Sequence, residues 1–227
     1  MKNLVVLTGA GISAESGIKT FRGADGLWEG HDIMEVASPE GFHNKPELVL
    51  DFYNQRRRQL NMVMPNKAHS NLVKLEKHYK VNIVTQNVDD LHERAGSSSI
   101  VHLHGELKKV RSTFKESLVY DWKNDLFLGN KCELGYQLRP YIVWFGEAVP
   151  MLDKAIDITG IADVLVIIGT SMQVYPAASL INFVKKDTPI YFIDPKPTIS
   201  ESNFSNLSII KENAVIGTEI LLKKLIG

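Results

Sequence analysis

The sequence lacks several features that would place it in a specialised class. It has one cysteine, Cys132, among 227 residues, so it cannot form an internal disulfide, and a reducing cytoplasm is expected. Its 26 basic and 26 acidic side chains cancel, which gives no sign of a nucleic-acid or membrane partner. The first residues turn polar and glycine-rich too early for a signal peptide or membrane span. We expect a globular cytoplasmic protein.

Short apolar runs alternate with helical patterns along the chain. The apolar runs are expected to form buried strands, and the periodic segments between them helices. Strands are predicted at 4–7, 81–84, 141–144, 164–168 and 190–193, and helices at 176–186 and 214–225. The alternation predicts the α/β fold class, with a Rossmann-like parallel sheet.

Two stretches interrupt this alternation and are expected to form a smaller inserted lobe. Residues 29–78 have a mostly helical pattern, whereas residues 106–138 are polar and weakly periodic. Ligands of parallel sheets bind beyond the carboxyl ends of the strands, so the cleft between the lobes is the predicted site. Residues 1–227 would thus form a single domain. Its larger lobe would comprise segments 1–28, 79–105 and 139–227.

The first predicted strand ends in a glycine-rich turn, GAGISA at residues 9–14, which matches the dinucleotide pattern G-x-G-x-x-A. Such glycines permit a tight turn and let backbone N–H groups approach a pyrophosphate. Alone, the pattern fits equally well with a turn that binds nothing. The acid that usually follows about 20 residues later to hold a ribose is missing, which disfavours an ordinary nicotinamide dehydrogenase. The loop that follows carries Arg22 and Asp25, and is either a nucleotide cover or an irregular surface loop.

Polar residues follow two other predicted strands. The segments are QNVDD at 86–90 and GTS at 169–171. The ends of such strands are where α/β sheets place ligand contacts. Each segment can instead cap a helix, through Asn87, Asp89 or Ser171.

A histidine pair, His102 and His104, precedes Gly105. Histidine can accept a proton near neutral pH, because its ordinary pKa is about 6.5. A His-x-His pair taken alone is more often structural, and two ligands rarely define a metal site.

Six segments in this order resemble the sirtuins: GAGISAESGI, TFRGADGLW, TQNVDDLHERAG, HLHG, LRPYIVWFGE and IIGTS. The sequence looks closest to the branch that removes malonyl and succinyl groups. The resemblance implies an NAD-dependent protein lysine deacylase, whose partners are acyl-lysine proteins or peptides. In this family the acyl oxygen attacks the nicotinamide ribose of NAD and nicotinamide leaves. The products are free lysine and O-acyl-ADP-ribose, so NAD is a consumed co-substrate.

The resemblance also implies roles for individual residues. His104 would be the catalytic base, and Asn87 would position ribose and water. The segment 143–147 is expected to be an apolar strand that pairs with the substrate, or else a buried core strand. The implied residues of the lysine channel are Val143, Phe145 and Gly146. The implied NAD contacts are Gly9, Ala10, Gly11, Ile12, Phe21, Arg22, Trp28, Gln86, Asn87, Val88, Asp89, Gly169, Thr170, Ser171, Asp194 and Ala214.

A phenol and a guanidinium three residues apart point to the acyl group. Tyr53 and Arg56 share one face of the helix expected at 46–60. With the small Ala37, they match the branch that binds dicarboxylic acyl chains. The arginine fork suits a carboxylate, and the tyrosine hydroxyl adds a donor. Without the resemblance, the arginine run 56–58 fits a solvated helix face. We expect succinyl- and malonyl-lysine substrates, with acetyl-lysine as a second.

The zinc site that most sirtuins build from four cysteines has no counterpart here. Between residues 106 and 137 the sequence has Cys132 and no histidine, so we expect no zinc. Apolar packing must then hold the small lobe. The side chains expected to do so are Phe114, Leu118, Tyr120, Trp122, Leu126, Phe127 and Tyr136.

Two other functions stay open from the sequence alone. One is a non-catalytic NAD-binding or protein-interaction module. The other is an NAD glycohydrolase or ADP-ribosyltransferase that uses the same cleft without deacylating lysine. A lysine channel would favour the deacylase over both.

Overall fold

The computed structural model describes residues 1–19 and 27–227. Its strands are β1 (Asn3–Thr8), β2 (Leu27–Trp28), β3 (His31–Asp32), β4 (Lys80–Thr85), β5 (Ile100–His102), β6 (Gly105–Ser112), β7 (Val119–Asp121), β8 (Leu138–Ile142), β9 (Val164–Ile168), β10 (Ile190–Ile193) and β11 (Leu207–Ile210). Its α-helices are α1 (Ile33–Val36), α2 (Pro39–Asn44), α3 (Pro46–Met62), α4 (Lys67–Leu75), α5 (Leu91–Ala95), α6 (Leu152–Gly160) and α7 (Ala214–Ile226). Segments of 3₁₀ helix lie at Ala10–Ser16, Ala177–Phe183 and Glu201–Asn203.

A six-stranded parallel sheet in the order β11-β10-β9-β1-β4-β5 forms the centre of the molecule. This confirms the predicted α/β class. The last residue of β1, Thr8, pairs with Thr85 of β4 and with Ile168 of β9. The turns that follow these three strands therefore converge at one edge of the sheet, where parallel sheets bind ligands.

Both faces of the sheet are covered, as the unbroken apolar runs predict. Along β1, Leu4 and Val6 pack in the cluster that includes residues of α4 and α7, whereas Val5 and Leu7 pack in the cluster that includes α6. Alternate residues of a strand point to opposite faces, so the four side chains are divided between two cores. This buried support fixes the strand ends at which the site lies.

One strand prediction is wrong in its position and its sheet. The strand expected at 141–144 is β8, which ends at Ile142 and pairs antiparallel with β6 in a second sheet of order β7-β6-β8. The physical reason is the close approach of the two strands: a Cβ on Gly105 would lie 2.1 Å from the Tyr141 carbonyl oxygen. An apolar run does not show which sheet it joins. The parallel sheet instead gains β5 and β11, which the pattern did not predict.

The small lobe is held partly by the side chains that the sequence indicates. Leu126 is buried, and Leu118, Tyr120 and Trp122 pack against the same cluster, which also contains Cys132. The expectation is wrong for three further aromatic residues. Their exposed fractions are 64% for Phe114, 59% for Phe127 and 43% for Tyr136.

The helix predictions differ in outcome. The helix expected at 46–60 is confirmed as α3, and the one at 214–225 as α7. The segment expected at 176–186 is a shorter 3₁₀ helix, Ala177–Phe183. In the part of the chain that the structure describes, no helix is both long and apolar enough to cross a bilayer.

Candidate active site

The glycine turn after β1 contacts the turn after β9 directly. The Gly9 N–H donates to the Ile168 carbonyl at 3.0 Å, and the Gly11 N–H to the Gly169 carbonyl at 2.8 Å. A Cβ on Gly11 would lie 2.5 Å from the Gly169 Cα. Gly169 also has a φ of +61°, which favours glycine. These glycines are therefore required by the contact between the two turns.

Most backbone donors of the glycine turn are already used. Besides Gly9 and Gly11, the Ile12 N–H donates to the Gly9 carbonyl at 3.2 Å, and the Ile12 side chain is fully buried in the core. None of the described contacts of this turn uses the Ala10 N–H, so this group can donate to a phosphate.

A pocket of about 180 Å³ lies beside these turns. It is lined by Gly11 and Gly169 and also by Asp194 and Ala214, which lie in later segments of the chain. Asp194 follows β10, and Ala214 begins α7. The full lining is Gly11, Ala14, Glu15, Gly169, Ile193, Asp194, Pro195, Asn213 and Ala214.

The polar segment after β4 ties the three turns to one another. Gln86 Nε2 donates to Thr170 Oγ1 at 3.1 Å, which links the turns after β4 and β9. Asn87 Nδ2 donates to Ser13 Oγ at 3.3 Å, and Ser13 Oγ donates to Asp89 Oδ2 at 2.9 Å. Asn87 and Asp89 are both buried. These bonds hold the amide and carboxylate groups in fixed positions.

In the two polar segments, 86–90 and 169–171, one of the three candidate capping residues, Asp89, does cap a helix. Asp89 Oδ1 accepts from the N–H of Leu91, the first residue of α5, at 3.1 Å, and burial raises the pKa of Asp89. Val88 is half-buried, and its carbonyl accepts from the Leu107 N–H. The alternative that Ser171 caps a helix is wrong, because the next helix, Ala177–Phe183, begins six residues later without a side-chain cap.

His104 is hydrogen-bonded to the turn after β4. Its Nδ1 is 3.1 Å from the Gln86 carbonyl oxygen. Because a carbonyl only accepts, Nδ1 carries the hydrogen and Nε2 is left as the acceptor. Burial lowers the pKa of His104, and the Gln86 bond offsets this in part, so the ring is neutral at neutral pH.

The other histidine of the pair holds the neighbouring carbonyl. His102 Nδ1 is 2.9 Å from the Asn87 carbonyl oxygen, and its Nε2 is 2.7 Å from Glu93 Oε1. Burial lowers the pKa of His102, but the hydrogen bonds and the Glu93 charge raise it overall. His102 therefore acts structurally, as an anchor for the Asn87 backbone.

Two of the three residues of the expected acyl site, Ala37 and Tyr53, belong to one apolar cluster. Ala37 and Tyr53 are 4% and 1% exposed, and both pack in the cluster that contains Trp144. The Tyr53 hydroxyl accepts from Trp144 Nε1 at 2.9 Å. Burial raises the pKa of Tyr53 well above its ordinary value, so the phenol keeps its proton.

Arg56 lies against the ring of Phe52, its guanidinium carbon 3.9 Å from the ring centroid. Its Nη1 donates to the Phe52 carbonyl at 2.7 Å, and its Nη2 is 3.8 Å from Glu29 Oε2. Its Nε is buried, with no hydrogen-bond partner among the described residues. Arg57 is fully buried, so the alternative of a solvated arginine run is wrong for that residue.

The segment 143–147 is not the strand that the sequence predicts. β8 ends at Ile142, and the Glu147 N–H closes a turn on the Trp144 carbonyl at 3.0 Å. The Val143 N–H donates to the His104 carbonyl, and the Phe145 N–H to the Ala37 carbonyl. Through these bonds, the segment that contains Val143 and Phe145 connects His104 to Ala37, a residue of the expected acyl site. Gly146, with a φ of +89°, makes the turn.

Comparison with known proteins identifies the family of the chain. The model of the Sir2 family matches residues 9–176. The chain belongs to the Sir2 family. A protein of Helicobacter pylori strain ATCC 700392 / 26695, named NAD-dependent protein deacylase, is 64% identical over 226 residues, which are 100% of this chain and 98% of that protein. A protein of Bacteroides thetaiotaomicron with the same name is 51% identical, at 100% and 99% coverage.

Solved Sir2 structures show the same fold. The crystal structure of a Sir2 homolog–NAD complex superposes with a TM-score of 0.88 and is 41% identical, covering 99% of this chain and 89% of that one. A structure described as a structural basis for the mechanism and regulation of Sir2 enzymes gives a TM-score of 0.81 at 35% identity, with 99% and 92% coverage.

Of the expected NAD contacts of this Sir2 chain, Trp28 lies away from the pocket and two others are not described. Phe21 and Arg22 lie outside the described residues. Trp28 does not line the pocket beside Gly11; its ring packs 4.9 Å from that of Phe52 and 6.2 Å from that of Tyr53. Within residues 1–19 and 27–227, no three His, Cys, Asp or Glu side chains cluster as metal ligands.

Sequence reasoning missed several residues of the site. Glu15 and Asn213 line the pocket, and Glu15 Oε2 also accepts from the Val215 N–H of α7 at 2.8 Å. The available signal was the turn from β11 into α7, a further strand-to-helix junction. Nothing in the sequence pattern pairs Trp144 with Tyr53.

Proposed function

We propose that this chain, an NAD-dependent protein deacylase of the Sir2 family, removes succinyl and malonyl groups from lysine and takes acetyl-lysine as a second substrate. One observation carries the proposal: a half-buried Arg56 whose Nε has no partner among the described residues. A buried N–H without an acceptor costs about 1–3 kcal/mol, so a carboxylate that reaches it is favoured. An acetyl group offers no such acceptor.

Tyr53 and Arg56 together suit the far end of a dicarboxylic acyl chain. The Tyr53 phenol stays protonated and can donate, and Arg56 is charged throughout the physiological range. Ala37, with its small side chain in the same cluster, leaves room for the chain. Arg and Tyr donors directed at one carboxylate give charge-assisted hydrogen bonds.

The turns after β1, β4 and β9 suit NAD. Gly9, Gly11 and Gly169 allow the turns to meet, the Ala10 N–H suits a phosphate, and Asp194 offers a carboxylate for a ribose diol. When bound, NAD supplies an electrophilic ribose carbon. The contacts proposed from the resemblance at Ile12, Val88, Thr170 and Ser171 remain proposals.

His104 is proposed as the base, and Nε2 is the atom that takes the proton from a ribose hydroxyl. The Gln86 carbonyl fixes the ring with Nε2 unprotonated, and the lowered pKa keeps it so at neutral pH. Asn87, held through its Nδ2 by Ser13, presents Oδ1 as an acceptor that can orient a ribose hydroxyl or water.

Kinetics with matched peptides test the acyl preference. The double variant Tyr53→Phe, Arg56→Met should lower kcat/KM on succinyl peptides about tenfold to a hundredfold more than on acetyl peptides, because two donors to a carboxylate are lost. Arg58→Met is the control, since Arg58 is an exposed arginine of the same helix. Equal loss on both peptides would sink the proposal.

The same assay separates the rival activities. Nicotinamide release that needs an acyl-lysine peptide supports deacylation, whereas release without peptide favours an NAD glycohydrolase. We further propose that the protein acts in the cytoplasm, where the buried thiol of Cys132 stays reduced.

A further inference from the structure

Tyr53 and Trp144 form a buried hydrogen-bonded pair behind the proposed acyl site. Their side chains come from α3 and from the turn after β8, and the residues are 1% and 2% exposed. Trp144 Nε1 donates to the Tyr53 hydroxyl oxygen at 2.9 Å. Within the described residues, this is the hydrogen bond that the hydroxyl makes.

The chemistry of the pair fixes which partner donates. An indole N–H is a donor only, so the Tyr53 oxygen must accept from it and the phenolic hydrogen must point elsewhere. Burial raises the pKa of Tyr53, and that hydrogen is therefore retained. The bond leaves Tyr53 with one hydrogen to donate and one lone pair already used.

The ion pair of Arg139 and Glu147 contacts both the ring and the backbone of Trp144. The Arg139 guanidinium carbon lies 3.3 Å from the centroid of the indole ring. Arg139 bonds both carboxylate oxygens of Glu147, at 2.6 and 3.0 Å, and Glu147 Oε2 accepts from the Trp144 backbone N–H at 2.8 Å. Ring and backbone are thus both restrained, which leaves the indole N–H little freedom.

We propose that Trp144 is a positioning residue that fixes the Tyr53 hydroxyl as a hydrogen-bond donor and so contributes to selectivity for acyl groups that end in a carboxylate. A hydroxyl whose acceptor lone pair is occupied is matched to an acceptor such as a carboxylate, and gains nothing from a methyl group. The inference rests on the proposed function, because Tyr53 must contact the acyl chain.

A double-mutant cycle on the succinyl-to-acetyl ratio of kcat/KM tests the inference. Trp144→Phe removes the N–H and keeps an aromatic ring against Arg139. Alone it should lower the ratio about two- to tenfold, the range of one hydrogen bond, chiefly through KM for the succinyl peptide. In the Tyr53→Phe background it should change the ratio by less than about twofold, because the hydroxyl is already gone. A purely structural role would lower both activities equally.

A second variant guards against a folding defect. Site-specific replacement of Trp144 by 3-benzothienylalanine keeps the shape of the ring and replaces the N–H by sulfur. It should give the same fall in the ratio with an unchanged melting temperature.

The outcomes separate this inference from the proposed function. If Tyr53→Phe lowers the ratio and the Trp144 replacements do not, the positioning role is overturned and the proposed function stands. If Tyr53→Phe leaves the ratio unchanged, the positioning role is overturned, and the double variant Tyr53→Phe, Arg56→Met decides whether the proposed function stands. A fall with Trp144→Phe that is equally large in the Tyr53→Phe background also overturns the role, because Trp144 would then act without Tyr53.

Discussion

His104 donates its Nδ1 hydrogen to the Gln86 carbonyl oxygen, 3.1 Å away, and this bond decides which ring nitrogen is basic. Burial lowers the pKa of His104, with the Gln86 bond opposing it. The acid limb of kcat/KM should therefore have its midpoint below about 6.5, the ordinary histidine value. A pH profile with a succinyl-lysine peptide measures it. His104→Asn should lower kcat by about 10²- to 10⁴-fold, whereas His78→Asn, an exposed control, should not. A midpoint above about pH 7 would contradict the assignment.

His102 should make stability depend on pH in the opposite direction to an ordinary buried histidine. Although burial lowers its pKa, Glu93 and the Asn87 carbonyl raise it overall, so the folded protein favours the charged ring. The resulting stabilisation is complete below the unfolded pKa of about 6.5 and is lost as pH rises through the raised value. Urea unfolding of Glu93→Gln at a series of pH values should show a smaller loss of unfolding free energy as pH rises from about 6.5 through the raised pKa. Glu40→Gln, at an exposed site, should retain the wild-type slope.

His69 and His92 form a buried pair whose rings lie 5.0 Å apart. Both are fully buried; burial lowers the pKa of His69 to about 4 and, with the charges of His69 and His102, lowers that of His92 too. The neutral forms stabilise the fold above the unfolded pKa of about 6.5, and that contribution is lost as pH falls toward the folded values. For His69 the loss is about 3 kcal/mol. His69→Asn should make the free energy of unfolding less sensitive to pH between about 6.5 and 4. An unchanged slope would show that another group carries the effect.

The parts of the structure that the sequence predicts are those set by local pattern. Apolar runs, interrupted in β4 by Asn82, identify β1, β4 and β9 because both faces of the parallel sheet are covered, and the glycine turn follows from the contact that Gly11 must make with Gly169. The position of β8 depends instead on its close approach to Gly105, across 36 residues of chain. Residue type alone cannot reveal such a pairing.

The candidate site shows the same division. Motifs identify His104 and Asn87, but the partners that fix them, the Gln86 carbonyl, Ser13 and His102, are brought to them from other segments of the chain. Phe114 and Tyr136 were expected in the core of the small lobe and instead stack on each other at its surface, 4.3 Å apart. Apolar composition indicates that a core exists without indicating which side chains enter it.

Glu29 should oppose the binding of an acidic acyl chain. Its Oε2 lies 3.8 Å from Arg56 Nη2 and accepts from Lys19 Nζ at 2.9 Å, so a carboxylate already shares the Arg56 charge. Glu29→Gln removes this competing charge and should lower KM for a succinyl-lysine peptide about two- to fivefold, since exposed and half-exposed pairs contribute up to about 1 kcal/mol. The change in KM for the acetyl peptide should be smaller, because no charge is recognised there. Glu35→Gln is the matched control, as Glu35 pairs with Lys45 on the same lobe. A KM for the succinyl peptide that rises in Glu29→Gln would mean that Glu29 holds Arg56 in its binding position, and the predicted competition would be wrong.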